Sequence, residues 1–145
     1  MRLVAILAVA VALTACGGRS PRSAEDAARA WSAALNTSND EAAANQFAPP
    51  TEIVQNGELV LRTHADAVRW NAALPCGGRI IRVVHQRTNQ VLVVFRLTER
   101  PGHRCDAPGL EAAAVFRVED GKIVLWRQTA PPDEQPAPSG SGPAI

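Results

Sequence analysis

The chain has 145 residues, 46% of them hydrophobic, with 15 Lys and Arg against 14 Asp and Glu and a formal net charge of +1. That length supports one domain with its own core, not two. The positive charge is nearly all arginine and is dispersed, which excludes the clustered basic surface of a nucleic-acid-binding protein.

Met1–Arg2 precede the apolar run LVAILAVAVAL, a short positive region followed by a core of secretory-signal length. The run falls short of the roughly 20 residues that a membrane-spanning helix needs. Leu13–Thr14–Ala15–Cys16–Gly17 follows at once, with the cysteine directly behind a small residue. This segment resembles the bacterial lipoprotein signal, or lipobox. The resemblance implies removal of residues 1–15 and an acylated Cys16 inserted in the lipid bilayer. The protein would then be anchored at the bacterial cell envelope on its extracytoplasmic side. An ordinary signal peptide that leaves a free cysteine is the alternative. Residues 16–22 then form a short linker, and residues 23–129 the folded domain.

Ser23, with Asp26 three residues on, predicts a helix start, and Ala27, Ala30, Trp31, Ala34 and Leu35 give it one apolar stripe. Asn36–Asn39 ends it. Asp40 is expected to cap a short second helix, Glu41–Phe47, stopped by Pro49–Pro50. Asn56–Gly57 between Glu52–Gln55 and Glu58–Leu61 predicts a hairpin. Thr63 and Asp66 open a third helix, with Ala67, Val68, Trp70, Ala73 and Leu74 on its buried side and Pro75–Gly78 at its end.

The stretch 79–98, RIIRVVHQRTNQVLVVFRLT, reads as two strands joined by a turn; VLVVFRL suits a sheet interior. Leu110–Val118 and Lys122–Thr129, split by Glu119–Asp120–Gly121, complete a four-strand antiparallel meander. In the third of these strands Leu110, Ala112, Ala114, Phe116 and Val118 share one face. The small residues leave room over the sheet, to be filled by Trp31 and Trp70 or left as a cavity. Cys76 and Cys105 are an even pair in an exported chain, and the proposed strand pairing brings them to one end of the sheet, so a disulfide is expected. Neither has a second ligand at close spacing, and the histidines are scattered, so no metal site or cofactor is expected. Residues 130–145, rich in Pro, Gly and Ser, read as a disordered tail.

Three helices, an Asn-Gly hairpin and a meander ending Phe116–Arg127 (FRVEDGKIVLWR) resemble the NTF2-like, or SnoaL-like, superfamily over roughly 24–129. The resemblance implies an α+β fold, a strongly curved antiparallel sheet packed against three N-terminal helices as a cone around a pocket. It also implies a homodimer through the sheet as one use of the exposed Val and Arg face. The limonene-epoxide hydrolase branch uses an Asp-Arg-Asp arrangement. Here Glu99–Arg100 matches one piece, but Gly102 and Gln128 stand where the carboxylates belong, and an amide cannot serve as a general base. The steroid-isomerase branch needs a pocket carboxylate; Asp106 and Glu99 are the candidates, and both are expected in the loop, outside the pocket.

The residues expected to line a pocket, or equally to fill a core, are Trp31, Trp70, Phe95, Ala112, Ala114, Phe116 and Trp126. Gln128, of the same parity as Val124 and Trp126, would supply a polar group near them. No catalytic residue is assigned. The leading expectation is a non-catalytic domain that binds a small apolar ligand or an envelope protein. One rival is an enzyme built from His85, Arg100 and Gln128, which requires the three to converge. The other is a structural module with a filled interior.

Overall fold

The structure, a computed structural model, describes residues 20–134. The expected signal segment, Cys16 and the chain beyond 134 lie outside the described residues. No helix among the described residues is long and apolar enough to cross a membrane.

Helices α1 (Ala24–Asn36), α2 (Asp40–Ala44) and α3 (His64–Ala73) accompany strands β1 (Phe47–Val54), β2 (Glu58–Leu61), β3 (Gly77–Arg87), β4 (Gln90–Thr98), β5 (Glu111–Glu119) and β6 (Lys122–Thr129). Helices α1 and α3 both start on complete capping boxes, Ser23 with Asp26 and Thr63 with Asp66. Each box satisfies backbone N–H groups that the first turn leaves unpaired. The start of α2 differs from expectation. Asn39 is its cap, accepting from the Ala42 N–H at 3.0 Å, which frees the Asp40 carboxylate for Arg100. The helix also stops at Ala44 rather than Phe47. Phe47 instead opens β1, where its ring packs edge-on to Trp70 at 5.7 Å and Gln46 accepts from the Ile123 N–H. Tertiary packing overrides the local helix preference there.

The six strands form one sheet in the order β2-β1-β6-β5-β4-β3. The last four are the expected antiparallel meander, and β1 and β2 form the expected hairpin across Asn56–Gly57. The expectation of a strongly curved, wholly antiparallel cone is corrected. Strand β1 runs parallel to β6, so the sheet is mixed, and its open order leaves β2 and β3 at opposite edges. Side-chain alternation tells which face a strand buries, not which way its neighbour runs, so the parallel pair was invisible to it. Pairing of β1 with β6 breaks between Phe47 and Glu52, where two prolines lack the N–H of a regular ladder.

Bulges decide which side chains face the helices. The β5–β6 register passes from Arg117↔Leu125 to Val118↔Ile123, leaving Val124 unpaired. Ile123 and Trp126, three residues apart, therefore both join the core, which an unbroken strand forbids. The bulge also parts Val124 from the face that Trp126 occupies, against the parity read from sequence. A second irregularity at Ile81 sends Ile80 and Val83 to the core and leaves Ile81 exposed.

The helices cover one face of the sheet. Trp31 sits at the middle of this core, its ring centroid 5.4–6.3 Å from those of Phe116, Phe95, Trp126 and Trp70. The opposite face buries Leu92, Val94 and Ala113. Arg82, Val94, Ala113 and Thr129 are register partners in one row across that face. The segment after Thr129 returns along it, with Pro131 buried and Asp133 paired to Arg82 at 3.0 Å.

Candidate functional site

A cavity of about 340 Å³ opens between α1, the end of α3 and the inner face of β4–β6. Its size is at the lower end of the roughly 300–1,000 Å³ typical of small-molecule sites. Trp31, Phe95, Ala112, Ala114 and Trp126 form its apolar floor. Ser32 and Leu35 of α1 and Leu74–Pro75 after α3 form the walls. Gln55 and Asn56 of the β1–β2 turn, Gln128 and Asp106 stand at the mouth, with Asn56, Gln128 and Asp106 exposed. Among the sequence candidates, Trp70 and Phe116 do not line it. Trp70 lies behind Trp31 and Trp126, against Phe47, and Phe116 is wholly buried beneath Trp31. Both support the floor from behind.

The space exists because small residues meet there. Ala112 and Ala114 leave the sheet surface low. Gly78 lies flush against Phe95; a Cβ at residue 78 would meet that ring at 3.0–3.2 Å and displace it. The wall is fixed by a side-chain clasp. Asn36 accepts from the Gly78 N–H at 2.7 Å and donates to the Gly78 carbonyl at 3.1 Å, and the Ser32 hydroxyl donates to the same carbonyl at 2.7 Å. These three bonds bolt the last turns of α1 to the first residues of β3.

The loop 99–110 that carries Asp106 is pinned at several points. Cys76 and Cys105 form a disulfide. The buried Arg100 guanidinium donates to Asp40 at 2.6 Å, to Ser38 Oγ, and to the carbonyls of Asn71 and Leu74. His103 bonds the Ala72 and Pro101 carbonyls, and Glu99 accepts from the Cys105 N–H. Asp106 Oδ1 lies 3.3 Å from Cys76 Sγ. That is a contact only, since a bridged sulfur has no proton to donate. The closeness of Cys76, Cys105 and Asp106 is accounted for in the same way and makes no metal site, because both thiols are spent in the bridge.

His85, Arg100 and Gln128 do not converge. His85 is on the surface of β3, paired with Glu25 at 3.0 Å. Arg100 is used up behind α3, and only Gln128 reaches the cavity. Asp106, expected outside the pocket, stands at its mouth, exposed; Glu99 does not line it. The carboxyls held below their usual range lie elsewhere. Glu25 is lowered first by its hydrogen bond from Arg29, and Asp66 first by that from Thr63. Neither lines the cavity.

Sequence reasoning missed Ser32, Leu35, the Gln55–Asn56 turn and the residues from Leu74 to Gly78. The signal that points to them is the Cys76–Cys105 bridge, which marks the end of the sheet where helix ends, hairpin turn and loop gather. A wider depression on the opposite face, between β1, β2, β5 and β6, carries Glu52, Glu58, Glu119 and Arg117 and lacks any aromatic ring. It lies open to water and is a poorer place to desolvate a ligand.

The family profile described as SnoaL-like domain matches residues 28–126. The chain belongs to the SnoaL-like family. Solved structures agree in fold. An NTF2-like protein of unknown function from Cytophaga hutchinsonii is 14% identical, with a TM-score of 0.62 over 79% of this chain and 96% of that one. An uncharacterized cystatin-fold protein from Novosphingobium aromaticivorans is 19% identical, with a TM-score of 0.58 over 74% and 98%. A protein from Sphaerobacter thermophilus is 20% identical, with a TM-score of 0.55 over 74% and 94%. No curated protein matches the chain by sequence. The SnoaL-like match begins within α1 at residue 28, takes in every element from α2 to β5 and enters β6 as far as Trp126. It therefore takes in the whole aromatic floor.

Proposed function

We propose that this SnoaL-like domain is a non-catalytic binding protein that holds a small, mostly apolar molecule in the cavity over Trp31, Phe95 and Trp126. The observation that carries the reading is a cavity of about 340 Å³ with an aromatic floor and a rim of amides, and no histidine, lysine or arginine in its lining among the described residues. The side-chain amides of Gln55 and Gln128 have no protein hydrogen-bond partner among the described residues, so they are free to fix the orientation of a polar substituent. A filled structural module would have spent this space on side chains, as the core around Trp31 does.

The reading has two further parts. The segment Leu13–Gly17 supports acylation of Cys16 and an extracytoplasmic, envelope-anchored protein. The exposed Ile81 and Val84 among the arginines of β3 support self-association through the sheet. Native mass spectrometry of protein taken from its own membrane tests both, through an acyl mass on Cys16 and a dimer mass. A bare Cys16 would refute the first, and a monomer the second.

The binding claim is tested with N-phenyl-1-naphthylamine, a neutral dye that brightens in apolar sites. The wild-type protein should bind it saturably, and Ala112→Phe, which fills the floor, should weaken binding at least tenfold. Circular dichroism melts identify a folded variant. A folded Ala112→Phe protein that binds the dye as tightly as wild type would contradict the site.

A further inference from the structure

Resting on the binding role proposed above, we infer that the cavity selects a ligand carrying one positive charge, an organic ammonium with an apolar body. Asp106 is the contact for the charge. Among the described residues no Lys or Arg lines the cavity, and the only charged side chain among them that does is the Asp106 carboxylate at its mouth. The floor offers the rings of Trp31, Phe95 and Trp126, whose faces are the negative part of an aromatic quadrupole. Both features attract a cation, and no cationic side chain among the described lining residues opposes them.

The surrounding cations do not offset this. Arg100 is turned away onto Asp40 and the carbonyls of Asn71 and Leu74. Arg104, in the same loop as Asp106, is exposed and does not line the cavity. The loop itself is held by the Cys76–Cys105 bridge next to Asp106, so the carboxylate is presented at a fixed edge of the mouth. An ammonium at the rim with its hydrocarbon part over the tryptophans satisfies the charge and the apolar floor together. A carboxylate ligand would be repelled by Asp106 and would lose its water without any donor of positive charge in return.

Calorimetric titration of the full-length protein with three molecules of matched size tests the inference: 2-phenylethylammonium, 2-phenylethanol and phenylacetate. The ammonium should bind roughly fivefold tighter than the alcohol, in line with the upper range of a solvent-exposed ion pair, here with Asp106, and phenylacetate should bind more weakly than either. Asp106→Asn should bring ammonium and alcohol to within about twofold of each other, through weaker binding of the ammonium. If the alcohol binds as tightly as the ammonium, or the Asn variant keeps the preference, the inference is overturned while the binding role stands. If only N-phenyl-1-naphthylamine binds, the inference is overturned in the same way. If none of the four molecules binds, the binding role falls with it.

Discussion

Single residues at helix starts carry a measurable part of the stability. Thr63 accepts from the Asp66 N–H, and Asp66 in turn accepts from the Arg62 and Thr63 N–H groups. Replacing Thr63 by Ala should cost about 1 kcal/mol, read as a shift in the thermal melt. The same bonds hold the Asp66 carboxyl below its usual value of 3.8, with Thr63 the first cause, and Glu25 below 4.5, with Arg29 the first cause. A carboxyl with a depressed folded-state pKa adds stability that is complete above its unfolded value. That contribution is lost as pH falls through the folded one. Melting temperature should therefore drop as the solution is acidified below about pH 4. In Thr63→Ala, the Asp66 titration followed by NMR should move up toward its usual value. An unmoved Asp66 midpoint would show that Thr63 is not what holds it.

At the scale of elements, two devices fix the loop at the cavity mouth. The Cys76–Cys105 bridge spans a sequence separation of 29 residues. On the chain-entropy account it contributes about 3–4 kcal/mol. The double variant with both cysteines changed to Ala should lose about that much in urea unfolding. Arg100 is the second device. Its side chain is fully buried, and its partner Asp40 is mostly buried. Arg100→Met strands the Asp40 carboxylate and two carbonyls, and should cost about 3 kcal/mol. A loss under 1 kcal/mol would mean that the cluster is not holding α2, α3 and the loop together.

The same scale shows how far the sequence could be read. Both capping boxes, the Asn-Gly hairpin and the four-strand meander were legible because each depends on residues close together in the chain. The parallel β1–β6 pair was not, because it joins residues that are 70 or more apart by a choice of direction that alternation does not encode. Nor were the bulges at Ile81 and Val124, which regular alternation hides. The cavity floor was partly legible, since Trp31, Ala112, Ala114 and Trp126 mark the covered face. Its mouth was not. Gln55, Asn56 and Leu74 reach it only through the way the hairpin, α3 and the bridged loop meet at one end of the sheet.

Across the whole molecule, the sheet and helices divide into a filled region and an open one. Around Trp31 the core is dense with rings, whereas beyond it, toward Gly78 and Ala112, the same face is floored by small residues and stays open. The three tryptophans sample both regions, Trp31 and Trp126 at the cavity and Trp70 behind it. The Trp31 indole donates to Asn71 at 2.8 Å, while the Trp126 indole N–H is buried without a partner among the described residues. Their three N–H resonances are thus distinct internal reporters. The most direct measurement is a proton–nitrogen NMR titration of the protein with 2-phenylethanol. Saturable shifts at Trp31, Trp126, Gln55 and Gln128 are predicted, with the Glu52, Glu58 and Glu119 region unmoved. Shifts confined to that opposite face, or none at the tryptophans, would contradict the cavity as the working site of this domain.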